Sequence, residues 1–224
     1  MNWFKKLLTS TLGRKLLMAL TGLFLILFLV VHLIGNLQLL KDDNGEAFNV
    51  YAKFMTSNPV IKTISYVNYA CFVGHALWAL FLTIGNRRAR GSERYAVIKN
   101  SSPWTSRNMG ILGTLILIFL VIHLKGFWYE MHWGGIPTVN YEGEEVKNLY
   151  ATVEMAYSNV WYVALYVFSM AVLAFHLWHG FASSFQTLGL NHPKYNPLIA
   201  FVGKAFAIIV PALFALIPIW MFLD

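Results

Sequence analysis

The chain has 224 residues, of which 58% are hydrophobic and only 12% charged, and its mean hydropathy is +0.56. That composition excludes a soluble globular domain, and the single cysteine, Cys71, excludes an intrachain disulfide, C-x-x-C-H attachment of a cofactor and an iron–sulfur cluster held by this chain alone. The formal net charge of +7 is gathered in the N-terminal segment and one loop, which reads as membrane topology with some attraction to anionic lipid and argues against a nucleic-acid partner.

Trp3, Phe4, Leu7 and Leu8 beside Lys5 and Lys6 predict a short interfacial helix. Five apolar runs of membrane-crossing length follow, at Leu16–Leu40, Ile61–Ile84, Met109–Trp128, Val160–Phe185 and Pro197–Phe222. The first is too long for a signal-peptide core and stays as a helix. The expected fold is all-α, one integral membrane bundle of five transmembrane helices spanning residues 1–224.

The loops orient the bundle. Lys5, Lys6, Arg14 and Lys15 precede the first span, and Arg87, Arg88, Arg90, Arg94, Lys99 and Arg107 against Glu93 fill the second loop. The first and third loops are net acidic. The positive-inside rule places the N-terminus in the cytoplasm and the C-terminal Asp224 outside.

Between the first two spans, Asn44 is expected to cap a surface helix with Ala47, Phe48, Tyr51, Phe54 and Met55 on one face. Ser101-Ser102-Pro103 ends the basic loop, and the segment Tyr150 to Tyr157 reads as helical. His132 belongs to the external third loop and His192 to a turn at Asn191-His192-Pro193. Pro211 and Pro218 predict a kinked fifth span, and Lys204 is placed to snorkel to the headgroups.

Ionisable residues inside a bilayer are costly and mark function by default. The first four spans hold His32, His75, His123 and the couple His176 and His179; the fifth holds none. Gly35 lies on nearly the same helical face as His32, where a missing side chain lets something bulky approach, and Gly74 stands beside His75. Spans one and three run outward and put His32 and His123 in the outer half. Spans two and four run inward and put His75 with His176 or His179 in the inner half. Two neutral imidazoles facing each other from different helices are what a bis-histidine b haem needs, and the depths supply that twice. Isolated histidines also serve as interhelical hydrogen-bonding groups. Zinc or non-haem iron would bring carboxylates or thiolates, and no Asp or Glu lies within the five spans.

The pattern resembles the single-chain, five-helix dihaem cytochrome b anchor subunit of the succinate dehydrogenase and fumarate reductase (succinate:quinone oxidoreductase) family. The fourth helix of that family carries H-x-x-x-G with a further glycine thirteen residues after the histidine, matched here by His176, Gly180 and Gly189. Reading from His179 puts Ser183 at the first glycine, so the resemblance selects His176 and leaves His179 as the alternative. The stretch Arg14-Lys15-Leu16-Leu17-Met18-Ala19-Leu20-Thr21-Gly22 also looks like the start of this subunit in one bacterial branch.

The resemblance implies an outer haem on His32 and His123 and an inner haem on His75 and His176. It further implies a cytoplasmic flavoprotein with FAD, an iron–sulfur subunit, and a membrane quinone as substrate, menaquinone favoured. The setting is a bacterial inner membrane, with dimerisation of the whole complex left open. Succinate chemistry would occur on a partner chain. Ser10 and Arg14 are similar to a serine–arginine quinone site of such anchors; equally, Ser10 suits a helix cap, and Arg14 and Lys15 suit headgroup or haem-propionate partners. Relatives that move a compensating proton carry a glutamate two residues before the fourth-helix ligand; Ala174 stands there, so no such pathway is implied. The competing functions are the cytochrome b anchor of a hydrogenase or formate dehydrogenase, and a haem-free transporter or assembly protein.

Overall fold

The computed structural model describes residues 2–90 and 103–224. Glu93, Arg94 and Lys99 of the basic loop, with Ser101 and Ser102, lie outside the described residues. Among those described, five helices are long and apolar enough to cross a membrane. They are α2 (Thr11–Asn36, continued by a 3-10 turn Leu37–Leu40), α4 (Pro59–Arg90), α6 (Met109–His123), α9 (Val160–Thr187) and α10 (Asn196–Leu223).

Shorter elements sit at the ends. The helix α1 (Trp3–Thr9) turns sharply into α2, and Gly13 makes that possible because any Cβ there would strike the Leu7 carbonyl. Between α2 and α4 lies α3 (Glu46–Ser57), and α5 (Trp104–Arg107) precedes α6. Beyond α6 the chain runs through α7 (Glu130–Trp133), the strands β1 (Thr138–Tyr141) and β2 (Glu144–Lys147), and α8 (Leu149–Tyr157). The face that carries α1 is called near below, and the face with α3, the hairpin and α8 is called far.

The helix α9 is the central post. A third of its apolar window (33%) is buried within the chain, against 6% for α4 and for α6, whose outward faces suit lipid. It packs against α10, α2 and α6. The α10 helix runs unbroken through Pro211 and Pro218, both buried.

The far face holds the one hydrophobic cluster of buried residues described: Leu39, Phe48, Phe127, Val153, Tyr157, Val163, Tyr166 and Ile217. Asn49, fully buried, ties it together. Its amide nitrogen donates to Tyr141 Oη (3.1 Å) and Asn148 Oδ1 (3.0 Å), and its Oδ1 accepts from Tyr150 N (2.9 Å). The surface-helix expectation needs two corrections. Asp43, not Asn44, accepts from the first backbone N–H groups, Gly45 and Ala47, while Asn44 and Gly45 take positive φ. Phe54 is exposed, and the face that packs inward carries Phe48 and Asn49. The hairpin was not expected; Glu142 and Gly143 both take positive φ, as a tight two-residue hairpin turn requires.

The far face is also acidic. Burial first, then the carboxylates of Glu154, Asp224, Asp43 and Asp42, push the Tyr150 phenol up. Asp224 therefore ends α10 on the same side as the first loop.

Candidate functional site: two histidine pairs inside the bundle

Four helices each bring one histidine inward, and the rings meet in two pairs. On the far side, His32 of α2 and His123 of α6 stand with ring centroids 5.8 Å apart and planes at 90°. Nearer the N-terminal face, His75 of α4 and His176 of α9 stand 6.4 Å apart with planes at 65°. All four are half-buried. An imidazole nitrogen ligates a first-row metal at about 2 Å, so two rings on opposite sides of one ion have centroids about 6 Å apart. Both pairs stand at that spacing.

His179 meets no ring and forms no hydrogen bond through its imidazole among the described residues, so α9 presents His176 and not His179 to the histidine of α4. His132 is exposed in α7, its Nδ1 2.8 Å from the Trp128 carbonyl oxygen, and His192 lies in a near-face turn where its Nδ1 accepts from Lys194 N. Neither reaches the two pairs.

The second nitrogens of the paired rings are treated unequally. His75 Nδ1 lies 3.1 Å from Thr21 Oγ1, whose own proton goes back one turn to the Leu17 carbonyl (2.8 Å). The network therefore assigns the proton to His75 Nδ1 and leaves Nε2 as a bare lone pair. His123 Nδ1 lies 3.1 Å from Tyr166 Oη, which is 3.4 Å from Tyr162 Oη. The Asn36 amide nitrogen donates to the His32 carbonyl (2.8 Å) and stands 3.4 Å from both His32 ring nitrogens, favouring neither. His176 Nδ1 is buried with no partner among the described residues.

These features fit an iron held by two imidazoles at each level. A buried nitrogen without a partner is rare in native interiors, and ligation through Nε2 would leave His176 Nδ1 unpaired, so the fit rests on the spacing of the rings. Small residues face both near-side histidines: a Cβ on Gly22 would lie 3.3 Å from His75 Cε1, and one on Gly113 would lie 3.9 Å from His176 Cε1. No group of three or more His, Cys, Asp or Glu side chains converges among the described residues; the imidazoles meet only in pairs. Such pairs suit haem and not the richer donor sets of zinc or non-haem iron.

The surroundings differ by level. His32 stacks on Phe28 (5.1 Å) and meets Phe214 (5.6 Å); His123 touches Phe119, Phe127 and Tyr166. Directly after His123, Leu124–Tyr129 forms a π-helical turn, an irregularity common at functional positions. Of the near-face residues, Ser10 is the N-cap of α2 and accepts from Gly13 N (3.1 Å). Arg14 donates through Nε to the Leu8 carbonyl (3.3 Å), and its guanidinium lies 5.2 Å from the centre of the Phe81 ring. Lys15 is exposed. The close approach expected at Gly35 is made by the Tyr51 ring of α3, and Gly74 admits Trp78 of its own helix.

Sequence reasoning missed Thr21, Tyr166, Asn36, Gly22 and Gly113. A signal existed for Tyr166, since a tyrosine inside an apolar span needs a partner for its hydroxyl. The glycines carried none, because helical periodicity does not say which neighbour a bare face meets.

No protein-family model matches the chain. Neither a curated protein nor a solved structure matches it.

Proposed function

We propose that this chain is a dihaem membrane cytochrome b, the anchor subunit of a succinate:quinone oxidoreductase. The observation that supports it most is the meeting of four histidines from four spans as two pairs at two levels, each at ligand spacing. His32 and His123 would hold the far haem, and His75 and His176 the near one. When bound, the haems supply one-electron transfer across the bilayer, between iron–sulfur clusters of a partner subunit and a membrane quinone.

The chain's own residues do the rest. Thr21 orients His75 by accepting a hydrogen bond from its Nδ1, which holds the ring with Nε2 free to ligate. Gly22 leaves room beside His75, and the aromatic rings around His32 and His123 exclude water at the far pair. The basic residues of α1, the start of α2 and the end of α4 orient the near face to the cytoplasm of a bacterial inner membrane, where the flavoprotein and iron–sulfur subunits would dock. At that face Arg14 and Lys15 offer cations for a quinone, haem propionates or lipid headgroups; the Ser10 hydroxyl already caps α2 as an acceptor and keeps its proton to donate. The far face then lies outside, with Asp224.

The test is a dithionite-reduced minus oxidised spectrum of the chain in membranes and after purification, with haem and protein quantified. Two b-type haems per chain are expected. Succinate-reducible haem with copurifying flavin identifies the partner enzyme; a nickel or molybdenum partner would assign the anchor to another quinone-linked complex. No haem in membranes or detergent would sink the cytochrome reading.

A further inference from the structure

Tyr166 is 4% exposed, although it carries a hydroxyl into a membrane-spanning helix. Its ring is held edge-on by Phe119 (4.9 Å) and Tyr157 (5.3 Å) and meets Tyr162 (4.9 Å) and Phe127 (6.2 Å). That packing fixes where Oη points, and it points at His123 Nδ1, 3.1 Å away. Beyond it stands Tyr162 Oη, 3.4 Å further on. Room for that second hydroxyl comes from Gly126 in the π-helical turn, where a Cβ would lie 2.7 Å from Tyr162 Oη.

We propose that Tyr166 is a positioning residue for the far haem, fixing the tautomer and donor strength of His123 through its Nδ1. The inference rests on the dihaem reading. A neutral imidazole that ligates through Nε2 carries its proton on Nδ1. That proton is donated to Tyr166 Oη, and the Tyr166 hydroxyl donates in turn to Tyr162 Oη, so Tyr166 serves as both acceptor and donor and Tyr162 as acceptor. Accepting the Nδ1 proton makes the imidazole more basic, as outer-shell partners do, and favours the oxidised iron. The second hydroxyl polarises the first and strengthens its acceptance. At the near level His176 has no such partner and His75 meets Thr21 instead, so removing the Tyr166 hydroxyl acts on the far level alone.

The experiment is a spectroelectrochemical titration of both haems in native membranes. Tyr166→Phe keeps the ring and removes Oη. The far haem, identified as the one missing in His123→Ala, is expected to become easier to reduce by up to about tenfold, which is about 59 mV for one electron. Its low-temperature EPR signal is expected to move as well, with the near haem unchanged. Two haems at unchanged potentials would overturn the role of Tyr166 and leave the dihaem reading standing. An equal shift of both haems would mark general loosening and also overturn it. A wild-type chain without haem would overturn both. If Tyr166→Phe does not accumulate, Tyr162→Phe decides: a smaller rise of the far haem alone supports the proposal, and no rise overturns it.

Discussion

The far and near histidine pairs stand at similar spacing but are built differently. His123 is held by the aromatic cluster that joins α8, α9, α10 and the loop elements, and its Nδ1 meets a phenol. The near pair lies outside that cluster. It has one threonine beside His75, a glycine, Gly22, that makes room for that ring, and a His176 nitrogen with no partner. One level is fixed by packing of large rings, the other by the absence of side chains. Two imidazole pairs in one bundle are therefore surrounded by different hydrogen-bond partners.

The largest test of that division is ligand removal. His75→Ala or His176→Ala is expected to abolish the near haem and keep the far one, and His32→Ala or His123→Ala the reverse, read from haem content and spectra. Loss of both from every single variant would mean that the levels are not separable.

Next in size is Asn49→Ala, which strips three hydrogen bonds from the far cap. Each buried partner left unsatisfied costs about 1–3 kcal/mol. Thermal melting should fall and proteolysis in the third loop should rise, with the near haem spectrum unaltered.

Gly22→Val adds bulk against His75 Cε1, at a cost of about 1–3 kcal/mol typical of overpacking. The near haem should be perturbed or lost and the far haem kept; an unchanged near spectrum would remove Gly22 from the site.

A smaller effect comes from pH. Burial first, then the nearby Tyr162 phenol, push the Tyr157 phenol up, and the Tyr150 phenol is raised as well. Unfolded tyrosine titrates at about pH 10. Below that pH both states hold the proton and the far cap keeps its full stability. Above it the unfolded chain ionises first, so stability is lost as pH climbs towards the folded values. Melting at rising alkaline pH, alongside tyrosinate absorbance, checks this, and Tyr157→Phe should flatten the loss. His179→Ala, the smallest change, should leave both haems in place.

Five spans and the four inward histidines were legible in the sequence. Backbone polar groups must be satisfied internally in a bilayer, so apolar length alone dictates a helix, and a lone imidazole stands out against it. The expected bounds were short at the ends: α2 begins at Thr11, where Ser10 caps it, and α4 runs on to Arg90 because arginine is a good helix former. Depth matching then paired His32 with His123, and His75 with the fourth-span couple, from chain direction alone. What residue order could not supply was rotation about each helix axis. Packing brings to His75 the His176 that the motif resemblance had selected over His179, and it alone decided that Tyr51 fills the notch at Gly35 and that Tyr166 reaches His123. The same holds for Asn49, whose burial depends on partners roughly a hundred residues away along the chain. Hydropathy is a one-dimensional property and settles which segments cross; which faces meet depends on side-chain shape against neighbours distant in sequence.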